Sequence, residues 1–252
     1  MSEKIPLVSI IMPTYNSSEF ITESILSVIN QTFMDWELLV VDDCSTDQTV
    51  EIISSYAKEN KRIKFFSTEK NSGAAVARNL AIKKSVGRFI AFLDSDDLWF
   101  PEKLEQQIKF MLYNNYSFTY TFYQKIDKNG SKRGVVKAPL KTNYIDSLKT
   151  NVIGCLTVIY DTQELGKMYM PLLRKRQDYC LWLSILKKGI IAYCLPENLA
   201  LYRVSQHSLS GNKFKILKYQ WMVYRNVEKI GFFKSCYFFF FYSFYGYKRY
   251  RI

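Results

Sequence analysis

Of 252 residues, 48% are apolar and 23% are charged, which is enough for a sizeable α/β core and too apolar for a disordered chain. Thirty-five Lys and Arg against 23 Asp and Glu give a net charge of +12, favouring an anionic partner such as nucleic acid, a phospholipid surface or a phosphorylated substrate. One histidine and five scattered cysteines, none at metal-ligand spacing, exclude most zinc chemistry and make free thiols the default.

The N-terminal residues carry no long apolar run of a secretory leader, so a cytoplasmic chain is expected. Leu7 to Met12 reads as a buried strand that ends in Pro13-Thr14-Tyr15-Asn16. Ser18 to Gln31 places Ile21, Ile25, Val28 and Ile29 on one helical face. Trp36 to Val41 is a second strand, ending in Asp42-Asp43, and Ser45-Thr46-Asp47-Gln48 has the spacing of a capping box for a helix through Val50, Ile53 and Ala57. A weaker strand over Ile63 to Phe66 follows, and Asn71-Ser72-Gly73 opens a helix to Ser85. Gly87 to Leu93 is an apolar strand that runs into Asp94-Ser95-Asp96-Asp97, and Pro101 fits the first turn of a helix carrying Leu104, Ile108 and Met111. Ser117 to Tyr123 is a further strand, and Asp127-Lys128-Asn129-Gly130 a hairpin turn. The pattern is less regular from Val135 until Gln177 to Leu186, a helix with Asp178 in its first turn, stopped by Gly189 before a strand over Ile190 to Leu195. Strands alternating with helices over short connections predict a mostly parallel sheet with helices on both faces.

Three carboxylates within four residues repel one another, and a divalent cation is the simplest offset. An acidic cap for the following helix would need one Asp, not three. In a parallel sheet the loops after the first, second and fourth strands share the carboxyl edge, where ligands of open α/β sheets bind. They bring together an aromatic ring, hydrogen-bonding groups and acids, which suits a base, a ribose and a diphosphate.

These residues resemble family 2 glycosyltransferases of the GT-A type, with a Rossmann-like sheet. The likeness rests on Val8 to Asn16, Val40 to Asp47, Asn71 to Asn79, Asp94-Ser95-Asp96-Asp97 and Gln177-Asp178, and runs over roughly the first 210 residues. It implies a transferase domain over 1–210, with a nucleotide-sugar half to about 115 and an acceptor half over 116–210. It assigns Pro13, Thr14 and Tyr15 to the nucleotide base, Tyr15 by stacking, and Asp43, with Asp42 as its rival, to a uracil N–H. Arg78 would approach the phosphates, while Asp94 and Ser95 would lie on the donor. Asp94 and Asp96 match the family's DXD motif for Mn²⁺ or Mg²⁺, with Asp97 an alternative ligand to Asp96. Asp178 matches the catalytic base, although Gln177 stands where Glu is common and Cys180 where Asp is common. Leu201 to Ser210 resembles a late loop, with His207 displaced from its usual place and given no role. The implied reaction is inverting, metal-dependent transfer of a hexose, galactose or glucose, from a UDP-sugar to a polyprenyl-diphosphate-linked sugar in bacterial O-antigen or surface polysaccharide assembly. Two rival readings are a nucleotidyltransferase or phosphotransferase and a non-enzymatic membrane-surface protein.

The last forty residues mix Phe and Tyr with Lys and Arg. Residues 211–252 are therefore expected to form a basic aromatic helical tail, too short and too interrupted to span a bilayer. Such a composition fits the headgroup layer of an anionic membrane on its cytoplasmic face, or else a packed helix of the core. It also suits single strands, but no RNA-binding motif accompanies it, so no nucleic acid beyond the donor's nucleotide is expected.

Overall fold

Strand β1 (Val8–Thr14) is buried at every position, as a strand covered on both faces must be. In the computed structural model, which describes residues 5–204 and 213–249, it pairs in parallel with β2 (Trp36–Asp42) and β4 (Phe89–Phe92). Strand β3 (Ile63–Ser67) extends the row beyond β2, giving the parallel order β3-β2-β1-β4. On the far side of β4, β9 (Ile159–Asp161) runs antiparallel and leads to β6 (Phe118–Ile126), which pairs in parallel with β10 (Ala192–Arg203). Short antiparallel strands complete the sheet: β5 (Leu98–Trp99) and β8 (Lys141–Thr142) on β10, and β7 (Lys132–Val136) on β6.

The period-2 alternation of each strand feeds two cores. Val8, Ile10 and Met12 pack with Ile25 and Val28 of α1 (Ile21–Ile29), Ile53 of α2 (Thr49–Glu59), and Leu104 and Ile108 of α4 (Lys103–Asn114). Ile11, Leu39 and Val41 belong to the other core, with Ala77 and Ala81 of α3 (Ala74–Lys84), and Leu181 and Trp182 of α7 (Gln177–Leu186). Between these pieces lie the short helices α5 (Tyr144–Lys149) and α6 (Thr162–Leu165). Gly87 permits the approach of β4 to β1, because a Cβ there would lie 2.7 Å from the Ser9 nitrogen.

Three local expectations change. Gln48 caps no helix with its side chain, and the Ser45 hydroxyl donates to Asp42 instead, so the capping box does not form. Asp47 takes its place, accepting from the Thr49 N–H at 3.1 Å and the Ser18 N–H at 3.1 Å. Pro101 lies in a turn two residues before α4 begins. The strand expected to stop at Leu195 continues to Arg203, crossing Pro196 by register shifts between Leu195, Asn198 and Leu201. A proline that cannot donate to the ladder breaks the periodicity without ending the strand.

The chain closes with α8 (Lys213–Met222), a π-helical turn (Val223–Val227) and α9 (Phe232–Arg249). This segment packs against the rest of the chain. Val223, Tyr224 and Phe238 share a buried cluster with Leu148, Tyr179 and Leu183, and Gln220 donates to the Tyr179 hydroxyl at 3.1 Å. No described helix is long and apolar enough to cross a membrane.

Candidate active site

The carboxyl ends of β1, β2 and β4 meet in one cradle whose loops are tied to one another. Asn16, at φ 47°, receives a hydrogen bond from the Thr46 N–H at 2.8 Å and donates its own N–H to Ser45 Oγ at 2.8 Å. Ser17 Oγ lies 2.8 Å from Ser95 Oγ, joining the β1 loop to the acidic loop. Tyr15 is left 49% exposed at the rim, a free ring face for stacking. Thr14 Oγ1 is buried with no hydrogen-bond partner, a polar atom left for a ligand.

Asp42 and Asp43 are both buried, and their oxygens have local work. Asp42 accepts from the Ser45 N–H at 2.9 Å. Asp43 accepts from Thr68 Oγ1 at 2.8 Å, the Ser72 N–H at 2.9 Å and the Gly73 N–H at 2.6 Å. Gly73 sits at φ +91°, a conformation that disfavours a Cβ, and Asp43 thereby holds the entry to α3. In this structure Asp43 serves the loop, so its expected contact to a base would compete with three donors already in place.

One turn into α3, Arg78 is 6% exposed and pairs with Asp94 at 2.5 Å. Burial would depress its pKa, but the Asp94 carboxylate more than offsets this and raises it above the ordinary value. Its Nε has no partner and is a second donor awaiting an acceptor. Asp178, half-buried at the first turn of α7, lies within electrostatic reach of Arg78. Cys155, in a 3₁₀ turn (Cys155–Thr157), feels Arg78, Asp94 and Asp178 together, and burial leads in pushing its thiol well up. The structure thus links the carboxyl end of β4 to the first turn of α7 through Arg78.

The three acids of the cluster separate in role. Asp96 is half-buried, and burial followed by the Asp94 charge pushes its carboxyl up to about 6, so a cation would relieve it. Asp97 is 2% exposed and accepts the Arg203 N–H at 2.9 Å. Burial, with Asp96 and Asp94 beside it, raises its pKa strongly. One oxygen of its carboxyl is thus tied to the β10 backbone, whereas among the described residues no hydrogen bond of this kind holds the Asp96 carboxylate. Hard oxygen donors at Asp94 and Asp96 fit Mn²⁺ or Mg²⁺ that keeps substrate phosphates as further ligands. Among the described residues no group of three or more His, Cys, Asp or Glu could hold a metal alone.

Arg203 falls within the late motif, Leu201 to Ser210, but the motif gave it no role of its own. It is 2% exposed, and its guanidinium donates to the Asp96 carbonyl at 2.9 Å, the Lys128 carbonyl at 3.1 Å and Glu23 at 2.6 Å, stacked over Phe20 at 4.6 Å. His207 and the rest of the late loop, 205–210, lie outside the described residues.

The family model "Glycosyl transferase family 2" matches residues 9–164. TuaG of Bacillus subtilis, named for teichuronic acid biosynthesis, is 46% identical over 231 residues, covering 91% of this chain and 92% of its own. The Escherichia coli UDP-Glc:α-D-GlcNAc-diphosphoundecaprenol β-1,3-glucosyltransferase WfgD is 50% identical over 218 residues, 86% of this chain and 85% of its own. The 1–349 fragment of S. aureus TarS with UDP-GlcNAc superposes at a TM-score of 0.70 and 26% identity, over 87% of this chain and 66% of that one. The chain spans 40% of a longer TarS structure. The architecture is therefore the GT-A type.

Proposed function

The chain belongs to glycosyl transferase family 2, and from that premise we propose that it moves a hexose from a UDP-sugar to a polyprenyl-diphosphate-linked sugar, with inversion, in the assembly of a bacterial surface polysaccharide such as O-antigen. Glucose is the favoured hexose because WfgD is named for UDP-Glc and a diphosphoundecaprenol-linked acceptor, with galactose the next donor to test. The observation that carries the reading is the Arg78–Asp94 pair at 2.5 Å with Asp178 in electrostatic reach of the same guanidinium.

Each residue then has a task. Tyr15 stacks on the uracil, Thr14 Oγ1 bonds its edge, and Pro13, Asp42 and Asp43 shape the pocket behind it. Asp94 and Ser95 lie along the ribose and diphosphate, and Arg78 donates its free Nε to a phosphate oxygen. A divalent ion, Mn²⁺ or Mg²⁺, held by Asp96 with Asp94 would add positive charge beside the departing diphosphate. Asp178 takes the proton from an acceptor hydroxyl as that oxygen attacks the anomeric carbon opposite the leaving group. One displacement inverts the centre, turning an α-linked donor into a β-linked product.

The enzyme would work at the cytoplasmic face of the membrane, attached peripherally, where its lipid-linked acceptor resides. The test is a panel of UDP-glucose, UDP-galactose and UDP-GlcNAc against a lipid-diphosphate-linked GlcNAc, with the product's anomeric configuration read by NMR. A β-linked hexose supports the proposal. Retention of configuration, or release of pyrophosphate from a nucleoside triphosphate in place of UDP from the sugar, rejects it in favour of the nucleotidyltransferase reading.

A further inference from the structure

Helix α9 has two faces of opposite character. Ser235 and Phe238 are buried, and Phe239 and Tyr242 lie toward the same side, against α5, α7 and α8. Diametrically opposite, Phe233, Tyr237, Phe240, Phe244 and Tyr247 recur at alternating steps of four and three residues, which aligns them in one row along the helix. They are 86%, 50%, 64%, 52% and 60% exposed. Phe233, Tyr237, Phe240 and Phe244 by themselves are an exposed apolar row of the kind that marks an interaction surface.

Charge, length and residue type choose the partner. Residues 213–252 hold nine Lys and Arg and a single acid, Glu228, which is itself taken up by Lys187 and the Tyr144 hydroxyl. Helix α9 has no acid, has Lys234 near its start and Lys248-Arg249 at its end, and is not apolar enough to cross a bilayer. A seam for a second copy would favour interlocking Leu, Ile and Val. Phe and Tyr between basic ends are instead the composition of a helix lying in the headgroup region of an anionic bilayer.

The docked face fixes what such binding would orient. The Arg176 guanidinium, two residues before Asp178, donates to the Tyr242 hydroxyl and lies 5.3 Å over its ring. Lys149 of α5 lies 5.7 Å over Phe241. We infer that the Phe233–Tyr237–Phe240–Phe244–Tyr247 row is the surface on which the protein rests on an anionic bilayer, and that α9 bridges that surface to the N-terminus of α7, so that Asp178 is presented at a fixed height to a lipid-linked acceptor. The acceptor part rests on the function proposed above, whereas the surface itself does not.

The experiment uses the full chain and vesicles of phosphatidylcholine with or without one third phosphatidylglycerol, read by co-sedimentation. The wild type is expected to bind the anionic vesicles, and Phe240→Ser with Phe244→Ser to weaken that binding at least tenfold at an unchanged melting temperature. A second pair, Phe233→Ser with Tyr237→Ser, should do the same and guards against misfolding of the first. Transfer to a vesicle-embedded acceptor should fall at least tenfold relative to transfer to a water-soluble short-chain one. Wild-type protein that ignores anionic vesicles, or folded variants that bind as well as wild type, would overturn the inference. A wild-type dimer that both variants convert to monomer would overturn it in favour of a second copy. Failure of sugar transfer with vesicle binding intact would reject the proposed function and leave the surface standing.

Discussion

At the scale of single residues, the three neighbouring acids of the cluster sit in different surroundings. Asp96→Ala should abolish metal-dependent donor binding, measured by calorimetry with UDP-glucose and Mn²⁺. Its melting temperature should hold or rise slightly, because the mutation removes a half-buried charge repelled by Asp94. Asp97→Asn should keep donor binding, since an amide oxygen can still accept the Arg203 N–H and the buried carboxyl is already biased toward its neutral form. Equal losses in the two variants would make Asp97 a metal ligand alongside Asp96. Asp178→Asn should keep donor affinity and lose turnover by about 10²–10⁴-fold, the range for a general base, because the contact it removes matters in the transition state. Motif order singled out Asp94, Asp96, Arg78 and Asp178, which the fold brings within electrostatic reach of one another. It could not show that Asp97, unlike Asp96, accepts from the Arg203 backbone, over a hundred positions away in the chain.

At the scale of elements, the acidic loop is rigid because β10 reaches it. Arg203→Ala removes the guanidinium's bonds to the Asp96 and Lys128 carbonyls and to Glu23, and should cost about 2–3 kcal/mol of stability by chemical denaturation, since bonds from a charged donor are at stake. Arg203→Lys should recover only part of that, because an ammonium cannot reproduce the fork. A second element-level feature is Lys103 at the start of α4, fully buried, its Nζ 2.7 Å from Gln107 Oε1 and 4.2 Å over the Trp99 ring. Burial holds its pKa well below the usual 10.5. The unfolded chain then binds the extra proton, so stability should rise with pH from the depressed pKa up to about 10.5 and fall as pH drops through that window. Lys103→Met should flatten that rise and raise the melting temperature at neutral pH. Hydrophobic periodicity foretold α1, α7 and the parallel strands because each has a continuous apolar face. The same rule stopped β10 at Pro196, and the capping-box spacing misled at Gln48, because bulges and side-chain partners from other loops are tertiary choices.

At the scale of the whole molecule, the C-terminal segment has a packed face as well as an exposed one. Deleting Phe232 to Ile252 uncovers Tyr179, Tyr224 and Leu148, so the truncated chain should melt well below the intact one or fail to stay soluble. Composition identified the aromatic and basic content of this segment. It could not reveal that Phe238 turns inward while Phe240 does not, because only docking on α5 and α7 breaks the symmetry of a helix rich in Phe on every side. The central claim is that the joined edges of β1, β2 and β4, together with α7, form a sugar-transfer site. Its most direct test is transfer of labelled glucose from UDP-glucose to a lipid-diphosphate-linked GlcNAc by the purified chain with Mn²⁺, repeated with EDTA and with Asp178→Asn. Wild type with Mn²⁺ should yield a labelled lipid-linked disaccharide, and the other two reactions almost none. Undiminished product from Asp178→Asn, or product formed equally well in EDTA, would contradict the claim.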